Sequence, residues 1–277
     1  MTVLVTGAHG KVGRQVAELL TARGVPIRPG SRRAAVPLDW ADPATWPAAL
    51  DGVESVFLVV PGGDDGHRSV VGLGAGVCGF LDLARDAGVS RVVLMTALGM
   101  EYAPAEVEQR AVERHLQGCG VPWTVLRPNW FFQNLTEGPL RVLADAGAGV
   151  LRLPVADAAV SFIDTRDIAA VAVGALLDED CGREYALTGP ESLTLAAVAA
   201  ACRPTGIPLT AYEPVTDSEF RATARALGWH PEYVDTLSTL FATIEQGLAA
   251  AVTPDTEKAL GRRPRTLTDF IGDMSSA

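Results

Sequence analysis

The sequence predicts an α/β fold, in which a doubly wound parallel sheet with helices on both faces precedes a smaller C-terminal α+β lobe. In the first 130 residues, short β-branched runs alternate with stretches of helical periodicity. This pattern is typical of parallel strands covered on both faces, and right-handed crossovers then wind the sheet in both directions. A loop with glycines at positions 7, 10 and 13 follows the first run. After residue 130 the alternation ends, which indicates the second unit.

The elements of the sheet domain follow from local signals. A β-branched run at 3–6 is a strand, and the amphipathic stretch 11–23 is a helix that ends at Gly24. Weaker runs predict strands at 25–30 and 36–38, and Asp42 or Thr45 is placed to cap a short helix that runs to Leu50. The stronger apolar runs and helical patterns that follow predict strands at 55–60, 91–96 and 123–127 and helices at 69–87 and 105–117.

The later part of the chain mixes short strands with helices. We predict helix at 131–143, 164–177 and 195–202, strand at 160–163 and 184–187, and a mainly helical stretch at 216–250. From this change we assign residues 1–130, with the segment near 160–177, to the sheet domain. Residues 131–159 and 178–277 are assigned to the smaller lobe, which is expected to bind substrate beside the carboxyl ends of the strands.

Composition and charge narrow the class of protein. Of 277 residues, 48% are hydrophobic and 20% charged, as in a soluble globular protein. The net charge of −10 argues against nucleic acid or an anionic membrane as a partner. The four cysteines lack metal-ligand spacing, so we expect no metal site and a cytoplasmic, reducing location. We recognise neither a signal peptide nor an apolar run long enough to cross a bilayer.

The glycine loop at residues 6–13, TGAHGKVG, predicts a dinucleotide site because a strand precedes it and a helix follows. Gly7 would permit the tight turn, Gly10 would let a pyrophosphate approach the backbone, and Gly13 would let the helix pack on the strand. The N-terminus of that helix then offers free N–H groups and partial positive charge to the phosphates. The alternative is a tight turn without a ligand.

The end of the second strand favours NADP(H) over NAD(H). NAD-binding proteins usually place an acid there for the ribose 2′-hydroxyl, whereas this chain has Ser31, Arg32 and Arg33. A hydroxyl and two guanidinium groups suit a 2′-phosphate, and Arg14 is a further candidate. The alternative is a solvated basic turn. Asp39 and Trp40 are placed to border the adenine, although Asp39 could equally cap the next turn.

Six motifs together resemble the NmrA-like, atypical branch of the short-chain dehydrogenase/reductases, from Val3 to Phe270. They are TGAHGKVG at 6–13, FLVVP at 57–61, TVLRPNWFFQN at 124–134, FIDTRDIA at 162–169, YALTGP at 185–190 and GRRPRTLTDF at 261–270. The resemblance implies a Rossmann-type core with a small C-terminal substrate lobe.

The resemblance also implies site residues. It places Gly7, His9, Gly10, Lys11 and Val12 at the pyrophosphate and Arg32 at the 2′-phosphate. Val59, Val60 and Pro61 would line the ribose, and Met95, Thr96, Pro128 and Asn129 the nicotinamide. Trp130, Phe131 and Phe132 would open the substrate pocket, although Phe131 and Phe132 could equally be core residues.

The usual catalytic pair of this superfamily is absent. Short-chain reductases protonate the carbonyl oxygen with a Tyr whose pKa is lowered by a Lys four residues later. Lysine occurs only at positions 11 and 258, so no Tyr-x-x-x-Lys pair exists here. Thr96 is the one hydroxyl at the end of the strand predicted at 91–96. Thr96 and Asn129 could donate hydrogen bonds to a developing alkoxide, and Tyr102 completes the catalytic candidates.

Two functions remain open. The first is a reductase that transfers hydride directly to a ketone or quinone in a bulky aromatic substrate, such as a polyketide antibiotic precursor, with the proton from water, Tyr102 or the substrate. The second is an NADP(H)-sensing regulatory protein that acts through a protein partner. An isomerase or lyase that uses the bound cofactor passively is a third, more distant alternative. A homodimer is compatible with each.

Overall fold

A computed structural model describes residues 1–60, 72–178 and 181–274. The strands, in chain order, are β1 (Val3–Thr6), β2 (Ile27–Gly30), β3 (Ser55–Val59), β4 (Arg91–Met95), β5 (Trp123–Pro128), β6 (Val150–Leu153), β7 (Ala159–Val160), β8 (Arg183–Leu187), β9 (Leu193–Thr194) and β10 (Ala211–Pro214). The helices are α1 (Gly13–Ala22), α2 (Trp46–Leu50), α3 (Gly74–Asp86), α4 (Glu108–Gly118), α5 (Pro139–Ala146), α6 (Thr165–Leu177), α7 (Leu195–Cys202), α8 (Asp217–Ala226), α9 (Pro231–Glu245), α10 (Asp255–Leu260) and α11 (Leu267–Met274).

Six parallel strands form the main sheet in the order β2-β1-β3-β4-β5-β8. The chain moves from β1 outward to β2 and then returns to place β3 on the other side of β1. The strand order therefore reverses between β1 and β3, which is where ligands bind in open α/β sheets. This arrangement confirms the predicted doubly wound parallel sheet.

Successive side chains along each strand point to opposite faces of the sheet, so an apolar core forms on each face. Val3 and Val5 pack with α1 and α6, whereas Leu4 packs on the opposite side with α2 and α3. These three side chains are fully buried, because parallel strands covered on both faces expose neither side. A third apolar cluster lies in the lobe among α5, α7, α8, α9 and α11. Within the described ranges, no helix combines the length and apolarity that a bilayer span requires.

The lobe contains three strands that the sequence did not predict, β6, β9 and β10, and the strand predicted at 160–163 is the shorter β7. β6 and β10 pair in parallel, and β7 and β9 pair in antiparallel. These strands have two to four residues each, so their pairing depends on the lobe core rather than on an apolar run. The stretch 216–250 is mainly helical, as predicted, and Gly228 (φ +74°) and Pro231 separate α8 from α9.

Three assignments are corrected by the structure. Residues 36–38 form no strand: Pro37 has no N–H to donate to a ladder, and Leu38 folds back so that its N–H reaches the Ser31 carbonyl at 3.0 Å. The helix at 131–143 is divided into a 3-10 turn at Phe132–Leu135 and α5, since Gly138 (φ +86°) and Pro139 interrupt it.

The third correction concerns β8, which we placed in the lobe from sequence. It is the edge strand of the main sheet and pairs with β5 from Thr124↔Arg183 to Pro128↔Leu187. Because one side of an edge strand faces solvent, Arg183 and Glu184 are exposed and the strand lacks the apolar run that marks β1, β3 and β4. Several helix ends also differ by two or three residues, as at α1 and α4.

Candidate cofactor and active site

The glycine loop joins β1 to α1 at the carboxyl edge of the sheet. Gly7 has φ +60°, and its carbonyl accepts a 2.8 Å hydrogen bond from the Gly10 N–H. A Cβ on Gly13 would lie 2.1 Å from that same carbonyl oxygen, so α1 can approach the loop this closely only with glycine there. Gly7 and His9 are exposed and Lys11 is half-buried, which leaves the loop open to a ligand. Such a cradle fits a pyrophosphate.

Thr6 is a site residue that sequence reasoning missed. Its hydroxyl accepts a hydrogen bond from the Val59 N–H at 2.8 Å and donates to the Phe57 carbonyl at 3.2 Å. Thr6 therefore holds the ends of β1 and β3 in register at the point where the strand order reverses. The signal available in the sequence is the single hydroxyl that ends an otherwise apolar strand.

The end of β2 presents three groups that fit a phosphate. Arg32 and Arg33 are exposed, and neither pairs with an acid within the described residues. The Ser31 hydroxyl oxygen is buried and has no hydrogen-bond partner in the same part of the chain. A buried hydroxyl without a partner is costly unless a ligand satisfies it. The chemistry of these three groups fits a phosphate, and the 2′-phosphate site stays a prediction.

Two neighbouring candidates have structural roles. The Asp39 carboxylate accepts from the Ala41 N–H at 3.0 Å, and its carbonyl accepts from the Trp46 indole at 2.8 Å, so Asp39 caps the turn as the alternative interpretation held. Trp40 packs edge-on against Phe80, with 5.2 Å between the ring centroids.

The residues expected at the ribose follow β3. Val59 is half-buried and lies 3.8 Å from a Cβ built on Gly7, and Val60 is buried. Pro61 lies outside the described residues.

Thr96 follows β4 and is bound to a buried carboxylate. Its hydroxyl donates to Glu113 Oε1 on α4 at 2.5 Å, and Thr96 is 7% exposed. A threonine hydroxyl has one hydrogen, so Thr96 can only accept from a ligand in this arrangement. This geometry corrects the expectation that Thr96 donates a hydrogen bond to a developing alkoxide.

Glu113 is the centre of a buried ionic network that sequence analysis did not find. Arg127 donates to both carboxylate oxygens at 2.9 Å, and Arg110 adds a bond of 2.8 Å. Burial by itself would raise the pKa of Glu113, but the hydrogen bonds from Arg127, Thr96 and Arg110 lower it below its ordinary value. Glu113 is therefore an ionised structural acceptor that orients Thr96.

Asn129 fastens the end of β5 to the lobe. Its side-chain amide donates to the Ser161 hydroxyl and to the Ala249 carbonyl, both at 2.8 Å, and its side-chain oxygen accepts from the Trp130 N–H at 2.9 Å. All of its donor hydrogens are thereby used. The proposed role of Asn129 as a catalytic donor is corrected to a positioning role at the junction of sheet and lobe.

The remaining candidates divide between core and solvent. Trp130 is half-buried and stacks on Phe241 of α9 with 5.6 Å between centroids, whereas Phe132 is fully buried and stacks on Phe162. Phe131 is half-buried and packs beside the sheet core. Tyr102 is 86% exposed, and its phenol has no hydrogen-bond partner within the described ranges. Met95 and Pro128 are buried at the strand ends.

The reversal point, the glycine cradle and the phosphate-compatible turn define a dinucleotide-binding protein of the Rossmann type. A family model described as NAD(P)H-binding matches residues 7–179. The chain is 30% identical over 291 residues to NAD(P)H azoreductase of Xenophilus azovorans, covering 99% of this chain and 98% of the relative. The chain belongs to this NAD(P)H-binding family, and its resemblance to the NmrA-like atypical short-chain reductases is confirmed.

Two further comparisons cover almost the whole chain. A (4-alkanoyl-5-oxo-2,5-dihydrofuran-3-yl)methyl phosphate reductase of Streptomyces griseus is 32% identical over 294 residues, 99% of this chain and 98% of the relative. The solved NADPH complex of the quinone oxidoreductase QOR2 from Escherichia coli has a TM-score of 0.77 at 22% identity, with 99% of each chain covered. The structural likeness establishes the Rossmann-type fold.

Proposed function

We propose that the protein is an NADPH-dependent reductase of a quinone or ketone in a bulky aromatic substrate, without a Tyr-x-x-x-Lys pair. The single observation that carries this proposal is the turn after β2, where Arg32, Arg33 and the Ser31 hydroxyl, which has no partner among the described residues, fit a 2′-phosphate. The azoreductase and the furanone phosphate reductase, both at 30% identity or more, support reduction by a nicotinamide cofactor.

The state of the candidate donors favours a quinone over a simple ketone. The reduced nicotinamide supplies a hydride when bound, and the acceptor oxygen then carries negative charge. The Thr96 hydroxyl already donates to Glu113, and the Asn129 amide already donates to Ser161 and Ala249. Neither side chain therefore has a hydrogen left to donate to that oxygen. A phenolate-like oxygen, with a pKa of about 10, needs no proton in the transition state, whereas an alkoxide does. Trp130 would then contact the flat acceptor.

Oxidation of NADPH in the presence of a panel of quinones and aromatic ketones tests the proposal. We expect turnover with several bulky quinones and slower turnover with isolated ketones. Tight NADPH binding without turnover on any acceptor would instead support the sensing alternative, in which the same cradle holds the cofactor and no chemistry follows.

Replacing Arg32 by alanine should weaken NADPH binding by roughly 10- to 100-fold and NADH binding by less than about 3-fold, because only NADPH carries the 2′-phosphate. Fluorescence titration with each cofactor measures the two dissociation constants. Arg23→Ala is the matched control, since Arg23 is an exposed arginine at the far end of α1. Equal losses for both cofactors would refute the 2′-phosphate assignment.

Replacing Tyr102 by phenylalanine should leave kcat within about 3-fold of the wild type. Removal of a true general acid costs roughly 100-fold or more, whereas an 86% exposed phenol can be replaced by water. Steady-state kinetics with the best quinone of the panel measure the effect. Loss of turnover at an unchanged substrate KM would identify Tyr102 as the acid.

A further inference from the structure

A bidentate ion pair joins the start of α1 to the segment before α5. Arg14 Nη1 lies 3.1 Å from Glu137 Oε2, and Nη2 lies 2.5 Å from Oε1. The two residues are 123 positions apart, so the pair connects the glycine loop of the sheet domain to the lobe. Arg14, a sequence candidate for the 2′-phosphate, is therefore already engaged by a carboxylate.

The segment that carries Glu137 is held in place. The Glu137 N–H donates to the Gln133 carbonyl at 2.9 Å. The buried Gln133 side chain in turn donates to Asp164 and accepts from the Thr165 N–H, both at 3.0 Å, at the start of α6. Glu137 therefore faces Arg14 from a fixed support, not from a free loop.

Lys11 lies beside the same segment. A Cβ built on Gly138 would lie 2.8 Å from Lys11 Nζ, and the φ of +86° at Gly138 favours glycine at this position. Lys11 makes no salt bridge within the described residues. Arg14 of α1 thus pairs with Glu137 of the lobe, and Lys11 of the loop lies beside the neighbouring Gly138, where the cofactor phosphates are expected.

We propose that Glu137 sets the rate of cofactor exchange by competing with the cofactor phosphates for Arg14. This inference rests on the proposed NADP(H) site. Both side chains of the pair are more than a third exposed, at 38% and 36%, so the pair is weak enough to be exchanged. A phosphate accepts the same forked donors as a carboxylate, so Arg14 can pass from one to the other. When Arg14 returns to the Glu137 carboxylate, the cofactor phosphates lose one of their hydrogen-bond donors, and the cofactor dissociates faster.

Replacing Glu137 by glutamine should lower the NADPH dissociation constant by about 3- to 10-fold at low ionic strength, chiefly through slower dissociation. Stopped-flow fluorescence, with bound NADPH displaced by excess NADP⁺, measures the rate. Glu18→Gln is the matched control, because Glu18 acts on Arg14 only through space and the change in net charge is the same. Its effect should stay below about 2-fold.

The same substitution in an Arg14→Gln background should have no effect on dissociation, because Glu137 is argued to act through Arg14. Faster dissociation in Glu137→Gln would show that the pair clamps the cofactor, and an unchanged rate would show that it is only a surface contact; either result overturns the inference. The titration needs no turnover. A wild type that binds NADPH but reduces no acceptor therefore refutes the reductase and leaves this test intact.

Discussion

Replacing Gly13 by alanine should weaken NADPH binding by roughly 30- to 1,000-fold. The new methyl carbon would lie 2.1 Å from the Gly7 carbonyl oxygen and 2.6 Å from its carbon, so α1 and the loop must separate by more than 1 Å. That movement would break several of the hydrogen bonds that the loop and α1 are expected to donate to the pyrophosphate, each worth about 0.5–1.5 kcal/mol. Fluorescence titration measures the loss.

Gly174→Ala is the matched control for that substitution. Gly174 lies exposed in α6, and a Cβ there would meet nothing within 4 Å. Alanine at this position should keep cofactor binding unchanged and increase stability by about 0.5–1 kcal/mol. If Gly13→Ala binds NADPH as the wild type does while keeping its fold, the close packing of α1 is not what shapes the cradle.

Replacing Glu113 by glutamine should destabilise the protein by about 3–5 kcal/mol. The four acceptor positions of the carboxylate are filled by Thr96, by two donors of Arg127 and by Arg110. Glutamine turns one of those acceptors into a donor that faces an arginine, and it leaves the positive charge of Arg127 without its buried partner. At about 2–4 °C per kcal/mol, the melting temperature should fall by roughly 6–20 °C.

The pH dependence of the stability loss distinguishes the loss of this ionic network from a nonspecific disturbance of packing. The pKa of Glu113 is lower in the folded protein than its ordinary value. The ionised carboxylate therefore stabilises the folded state fully at pH values above the ordinary pKa, and this stabilisation is lost as the pH falls through the pKa of the folded state. The difference between wild type and Glu113→Gln should be constant from about pH 7 to 5 and shrink below about pH 4. Glu106→Gln, at an exposed position, is the control. A constant difference down to pH 3 would contradict the ionised network.

The sheet domain could be predicted because its signals lie among residues that are close together in the sequence. Strands β1, β3, β4 and β5 are mostly buried runs rich in apolar and β-branched residues. In the glycine loop, Gly7 has φ +60°, and a Cβ on Gly13 would meet the Gly7 carbonyl at 2.1 Å, so the glycines report a local backbone requirement. Helix caps and turn residues then place α1 and α6 within a few residues. These features depend on neighbours in sequence, so the sequence alone determined the fold class and the cofactor cradle.

The tertiary structure decided which polar groups are free. Glu113 reaches Thr96 across 17 positions, Asn129 reaches Ala249 across 120, and Glu137 reaches Arg14 across 123. No local pattern reports such pairs, because the partners meet only after the sheet and the lobe have packed. Likewise, β8 takes its place at the sheet edge by pairing with β5 and not by its own polar sequence. Sequence proposed Thr96, Tyr102 and Asn129 as donors; packing alone determined that, of the three, only the Tyr102 hydroxyl is left unengaged by the described residues.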